Sequence, residues 1–157
     1  TLQFWLNKAN ICCLPYELNK KEMRRLCEGT FDIEQIVYGR IPLMITANCV
    51  AKTTQGCKKG TDGERDVLSL TDRYHKNFPV TTNCMQCYNI IYNTVPLSLH
   101  EKVSNREVNG AVRLQFSVEN AKETKSILQY WSDVLQGEKR QPPYTEYTLG
   151  HEKRGVE

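Results

Sequence analysis

Hydrophobic positions come in short runs separated by polar stretches, and the spacing inside each run predicts an element. Asn10 to Leu14 contains the run Ile11-Cys12-Cys13-Leu14 and predicts a buried strand. Asn19 is placed to cap a helix, with Glu22 three residues on in capping-box position. Met23, Leu26 and Cys27 recur at helical spacing and Gly29 follows as a stop, so a helix is expected over 19–28. Residues 35–40 and 43–46 predict strands broken at Pro42, and strand–helix–strand at this pitch predicts a parallel βαβ unit. Residues 51–66 are Lys-, Thr-, Gly- and Asp-rich and read as a loop. Residues 67–73 alternate as a half-buried strand, with 78–82 as its hairpin partner and a further strand over 90–93. Residues 111–116 alternate cleanly. Ser117 then caps a helix to about Leu135, with Ile127, Leu128, Trp131 and Leu135 as its buried stripe and Gly137 as its stop. A polar, aromatic tail follows Pro142-Pro143.

Composition adds one feature. With 39% hydrophobic and 25% charged residues among 157, the chain is ordinary for a globular protein, and a net charge of +3 selects no partner by itself. No apolar run reaches the roughly 18–20 residues that span a bilayer, and the start is not built like a signal peptide. A cytoplasmic protein without membrane contact is therefore expected. The missing initiator Met suggests a fragment.

The unusual feature is seven cysteines. An odd number without a secretion signal argues against a disulfide framework and for ligand or redox roles. Cys12, Cys13 and Cys27 sit in expected elements and are read as core. Cys49, Cys57, Cys84 and Cys87 fall in loops and strand ends. The Cys84-Met85-Gln86-Cys87 spacing lets two thiolates face one metal, and four thiolates suit a tetrahedral zinc ion or a four-iron–four-sulfur cluster. His75, His100 and His151 read as surface residues. Neither a phosphate loop nor His-Glu-x-x-His occurs, and a cysteine nucleophile paired with His75 or His151 has no local support.

Several blocks, in order, resemble the collagenase-like peptidase family (peptidase family U-thirty-two). They are Tyr38-Gly39-Arg40-Ile41-Pro42-Leu43-Met44 with Cys49; Leu70-Thr71-Asp72-Arg73 with Phe78-Pro79-Val80 and Cys84; Asn89-Ile90-Ile91-Tyr92-Asn93 with Pro96-Leu97; Arg113-Leu114-Gln115-Phe116; and Gly150-His151-Glu152-Lys153-Arg154-Gly155-Val156. The family's opening Gly-Ala-Asp-Ala-Val-Tyr-type motif is absent. The resemblance implies an α/β fold, a partial (β/α) barrel-like unit with an inserted cysteine-rich β segment. Terminal βα units would occupy 1–48, the cysteine-bearing insertion 49–110, and the last strand, long helix and tail 111–157. Open sheet edges would then be covered by the missing N-terminal half of the barrel or by another copy in a homo-oligomer.

The resemblance also implies function. Family members act in proteolysis of collagen or in RNA and quinone hydroxylation, and the latter carry an iron–sulfur cluster on cysteines matching Cys49, Cys57 and Cys84. The family's fourth ligand often lies between the second and third, where this chain has none; Cys87 stands in for it. Hydroxylation of tRNA or rRNA, with an oxygen drawn from prephenate, makes Arg40, Arg73, His151 and Arg154 candidates for anion contact. A collagenase-like protease and a non-enzymatic structural zinc module are the alternatives.

Overall fold

The computed structural model describes residues 4–5, 8–27, 33–57, 67–108 and 110–151. Among these the chain forms β1 (Cys12–Leu14), α1 (Lys20–Cys27), β2 (Ile33–Gly39), β3 (Pro42–Thr46), α2 (Val50–Gln55), β4 (Val67–Thr71), β5 (Asn77–Asn83), β6 (Tyr88–Tyr92), β7 (Leu97–Ser98), α3 (His100–Ser104), β8 (Ala111–Gln115) and α4 (Ala121–Leu135). Arg154 lies outside the described residues, as do Gly29, the loop beyond Cys57 and the side chain of Cys27.

Two compact units result. One comprises Thr1–Gly39 with Leu97–Glu157, the other Arg40–Pro96. In the first, β2 pairs in parallel with β1 and β8 and antiparallel with β7. The β1–α1–β2 crossover is the βαβ unit that the sequence pattern predicts. Asn19 caps α1 as expected: its Oδ1 accepts from Lys21 N and Glu22 N, both at 3.0 Å, and Glu22 returns the bond at 2.9 Å. Gly39 ends β2 at φ +146°, where a Cβ would come within 2.5 Å of the Gln115 carbonyl oxygen, so only glycine lets β8 approach here.

α4 covers this unit's core. Its cap is Asn120, not Ser117: a complete capping box joins Asn120 and Glu123, and the helix begins three residues later than the hydroxyl at Ser117 suggests. Ile127, Tyr130, Trp131 and Val134 form the buried stripe, whereas Leu128 and Leu135 are exposed. The expected stripe is thus rotated about the helix axis. Tyr38, Trp131, Phe116 and Tyr144 pack their rings together, with Tyr38 centroids 5.5–6.4 Å from the other three. The tail is tied down rather than loose, because Ser98 N donates to Thr148 O at 3.0 Å.

The second unit is a four-stranded sheet in the order β3-β6-β5-β4, antiparallel throughout. β4 and β5 form the expected hairpin. The carboxylate of Asp72 organises its turn by accepting from Tyr74 N at 2.8 Å and Lys76 N at 2.9 Å. Among the described residues the buried apolar side chains here are Ala51, Val80, Tyr92 and Pro96.

The barrel-like α/β expectation is therefore overturned. The described residues form a mostly β structure of two sheets and eight strands with four helices, and no barrel closes. A (β/α) barrel needs successive parallel strands, each followed by a helix that crosses to the next. Only β1–α1–β2 does this; β3 through β6 run antiparallel. No helix among the described residues is long and apolar enough to cross a membrane.

Candidate metal centre

The four middle cysteines are delivered by three segments of the second unit. β3 ends at Thr46, and a bend follows in which Thr46 Oγ1 accepts from Asn48 N at 3.1 Å. Cys49 then caps α2 in extended conformation, its Sγ accepting from Lys52 N at 3.3 Å. A thiol here does the work usually given to Ser or Asp at a helix start. Thr53 Oγ1 donates to Cys49 O at 3.1 Å, and Gly56 at φ +91° turns the chain out of the helix so that Cys57 follows one residue later, exposed.

Cys84 and Cys87 bracket the turn between β5 and β6, which closes on the Asn83–Tyr88 pair. Asn83 Oδ1 accepts from Gln86 N at 2.9 Å, while its Nδ2 donates to Tyr88 Oη at 3.3 Å. Cys87 adopts φ +55°, the left-handed region in which a side chain with a Cβ is strained. Glycine or asparagine would sit there more comfortably. Cys84 is half-buried and Cys87 exposed.

All four cysteines line one open cavity of about 780 Å³, together with Lys52, Asn83, Tyr88 and Asn89. The six cysteines with described side chains are free thiols. Among the described residues no three His, Cys, Asp or Glu side chains stand at the spacing that holds a single ion. In donor chemistry the set fits a thiolate-bound metal: four sulfurs, one already in a backbone N–H bond, and a lysine in the same cleft.

Arg40 and Arg73, the anion-contact candidates of this unit, do not line the cleft. Arg40 donates through Nη1 to the carbonyl oxygens of Asn93 (3.0 Å) and Thr94, which anchors the chain after β6. Arg73 lies over the Tyr74 ring, 4.8 Å from its centroid, in the β4–β5 turn. His75 is exposed in the same turn at φ +59°. His151 is exposed in the first unit. Cys12 is half-buried and Cys13 exposed, so the expectation that both are core fails: a strand of only three residues at a sheet edge cannot enclose them.

One cluster escaped the sequence pattern. His100 is half-buried, not a surface residue, and its Nδ1 lies 2.8 Å from Ser98 Oγ, which in turn lies 2.7 Å from Tyr144 Oη. Its ring packs edge-on against Tyr130 and Tyr147. Burial lowers the His100 pKa and outweighs the opposing pull of Glu101; burial also pushes Tyr130 up to about 12 and raises Tyr144. Ser98 is completely buried, so this chain of hydroxyls and imidazole braces the tail and offers no accessible nucleophile. A polar residue between Leu97 and Leu99 was the available signal, but its partner lies 46 residues away.

A scan against protein-family models finds no match to this chain, and neither curated proteins nor solved structures give one.

Proposed function

We propose that Cys49, Cys57, Cys84 and Cys87 hold a four-iron–four-sulfur cluster, and that the chain is part of an RNA-hydroxylating enzyme. The supporting observation is that four cysteines, two flanking α2 and two in the β5–β6 turn, line one cleft. The strain at Cys87 favours a functional reason for a thiol there. A cluster binds each thiolate to a different iron and spreads its ligands wider than one zinc ion does. Four thiolates suit either centre, and the ordered motif resemblance is what favours the cluster over zinc.

Bound in this cleft, a cluster would supply one-electron chemistry. The chain itself contributes the thiolates, the Lys52 N–H to the Cys49 sulfur and the Lys52 cation, which tune the charge balance around them. The RNA reading rests on the ordered motif resemblance. Arg73 stacked on the exposed Tyr74 ring adds a feature suited to a polyanion with unstacked bases.

Anaerobic purification with iron, sulfide and zinc analysis tests the centre. Stoichiometric zinc without iron replaces the cluster by a structural zinc module, and no metal under any condition sinks both. For the RNA reading, a deletion strain should lack a hydroxylated pyrimidine; an unchanged nucleoside profile counts against it.

A further inference from the structure

We propose that Asn89 is the positioning residue of the cysteine cleft: its side-chain amide ties β6 to the turn that presents Cys49. This inference rests on the metal reading of the cleft. Asn89 lies two residues beyond Cys87 and pairs in register with Thr46 on β3 and Thr82 on β5. Only 1% of it is exposed. Nδ2 donates to Asn48 O at 2.8 Å and to Thr46 O at 3.3 Å, so both amide protons are committed to the two backbone carbonyls that flank the bend before Cys49. Asn48 is Cys49's immediate neighbour. The strand that leaves the Cys84–Cys87 turn therefore also sets where the Cys49 turn stands.

Asn89 Oδ1 is buried and has no hydrogen-bond partner among the described residues. A buried acceptor without a donor destabilises a fold. What the side chain contributes is the pair of bonds that Nδ2 donates, and these lead to the backbone beside the first thiolate of the set. Partners that orient metal ligands typically change metal affinity about 10–100-fold when removed.

Cobalt(II) added to the reduced, metal-free full chain is the probe, since thiolate-to-cobalt charge transfer reports how many sulfurs bind. Affinity is read by competition with a chromophoric chelator at a temperature where circular dichroism shows every variant folded. Asn89→Ala and the same-sized Asn89→Asp are expected to bind about 10–100-fold more weakly than wild type. Their charge-transfer intensity should fall to that of Cys49→Ser. Thr71→Ala, which breaks a hydrogen bond on β4 away from the cleft, should leave affinity and spectrum unchanged. Wild-type affinity and a four-thiolate spectrum in either folded Asn89 variant overturn the positioning role and leave the metal reading standing. Absence of cobalt binding by the wild-type chain overturns both. If both Asn89 variants unfold, amide exchange in the wild type decides: cobalt should slow exchange at the Asn89 side chain and at Cys49, and unchanged exchange overturns the proposal.

Discussion

Replacing Cys87 by asparagine should move the stability of the metal-free and metal-loaded proteins in opposite directions. Cys87 is exposed at φ +55°, and its Sγ makes only a 3.8 Å contact to Cys84 O, so little packing is lost with it. A left-handed conformation costs an ordinary L-residue about 1–2 kcal/mol, and asparagine tolerates it better. The metal-free variant should therefore gain about 0.5–1 kcal/mol, which for a chain of this length raises the melting temperature by about 1–4 °C. Glycine would gain less, because its greater freedom in the unfolded chain offsets part of the relief. The loaded protein loses one of four thiolates and should melt lower than loaded wild type. Melting is followed by circular dichroism on reduced protein, with chelator in one series and reconstituted iron and sulfide in the other. If the metal-free variant melts below wild type, the strain reading is wrong. If iron content is undiminished, Cys87 is not a ligand.

Three further outcomes test the first unit. His100 is held neutral by burial, its folded-state pKa lying below the ordinary 6.5. Its contribution is complete above that value and is lost as pH falls from about 6.5 through the lowered folded value. Urea titrations at several pH values should show that slope vanish in His100→Gln, and a slope that persists refutes the assignment. Gly39→Ala should cost at least about 2–4 kcal/mol in chemical denaturation, because the added Cβ meets a backbone oxygen at 2.5 Å. A cost below about 1 kcal/mol would mean that β8 shifts freely. Asn120→Ala should lose about 1 kcal/mol, whereas Ser117→Ala should lose distinctly less, since the capping box belongs to Asn120.

Local signals were legible in the chain because they act over a few residues. The Asn19 capping box, the β4–β5 hairpin and the stop at Gly137, which adopts φ +85°, all follow from side chains meeting backbone within a turn or two. The βαβ start was equally readable, but the partial barrel that the family resemblance implied does not form. Strand direction beyond β2 depends on which edges pair, and the antiparallel order β3-β6-β5-β4 arises from contacts between segments that no local period encodes. The α4 stripe was misjudged for the same reason. Leu128 is as apolar as Ile127, and only tertiary packing decides which of them is covered.

For the cysteines the division is sharper. Spacing singled out Cys84 and Cys87, because a Cys-x-x-Cys turn is a local geometry, and placement outside the expected elements added Cys49 and Cys57. That they share a cleft, that Cys49 caps a helix and that Cys87 sits in a strained conformation are tertiary facts. So is Asn89, an unremarkable letter in an apolar strand until folding buries it against two carbonyls 41 and 43 residues away. Residue type sets which atoms can bind a metal or share a proton. Long-range pairing decides which of those atoms meet, since that choice is made by burial and backbone hydrogen bonding across the whole sheet.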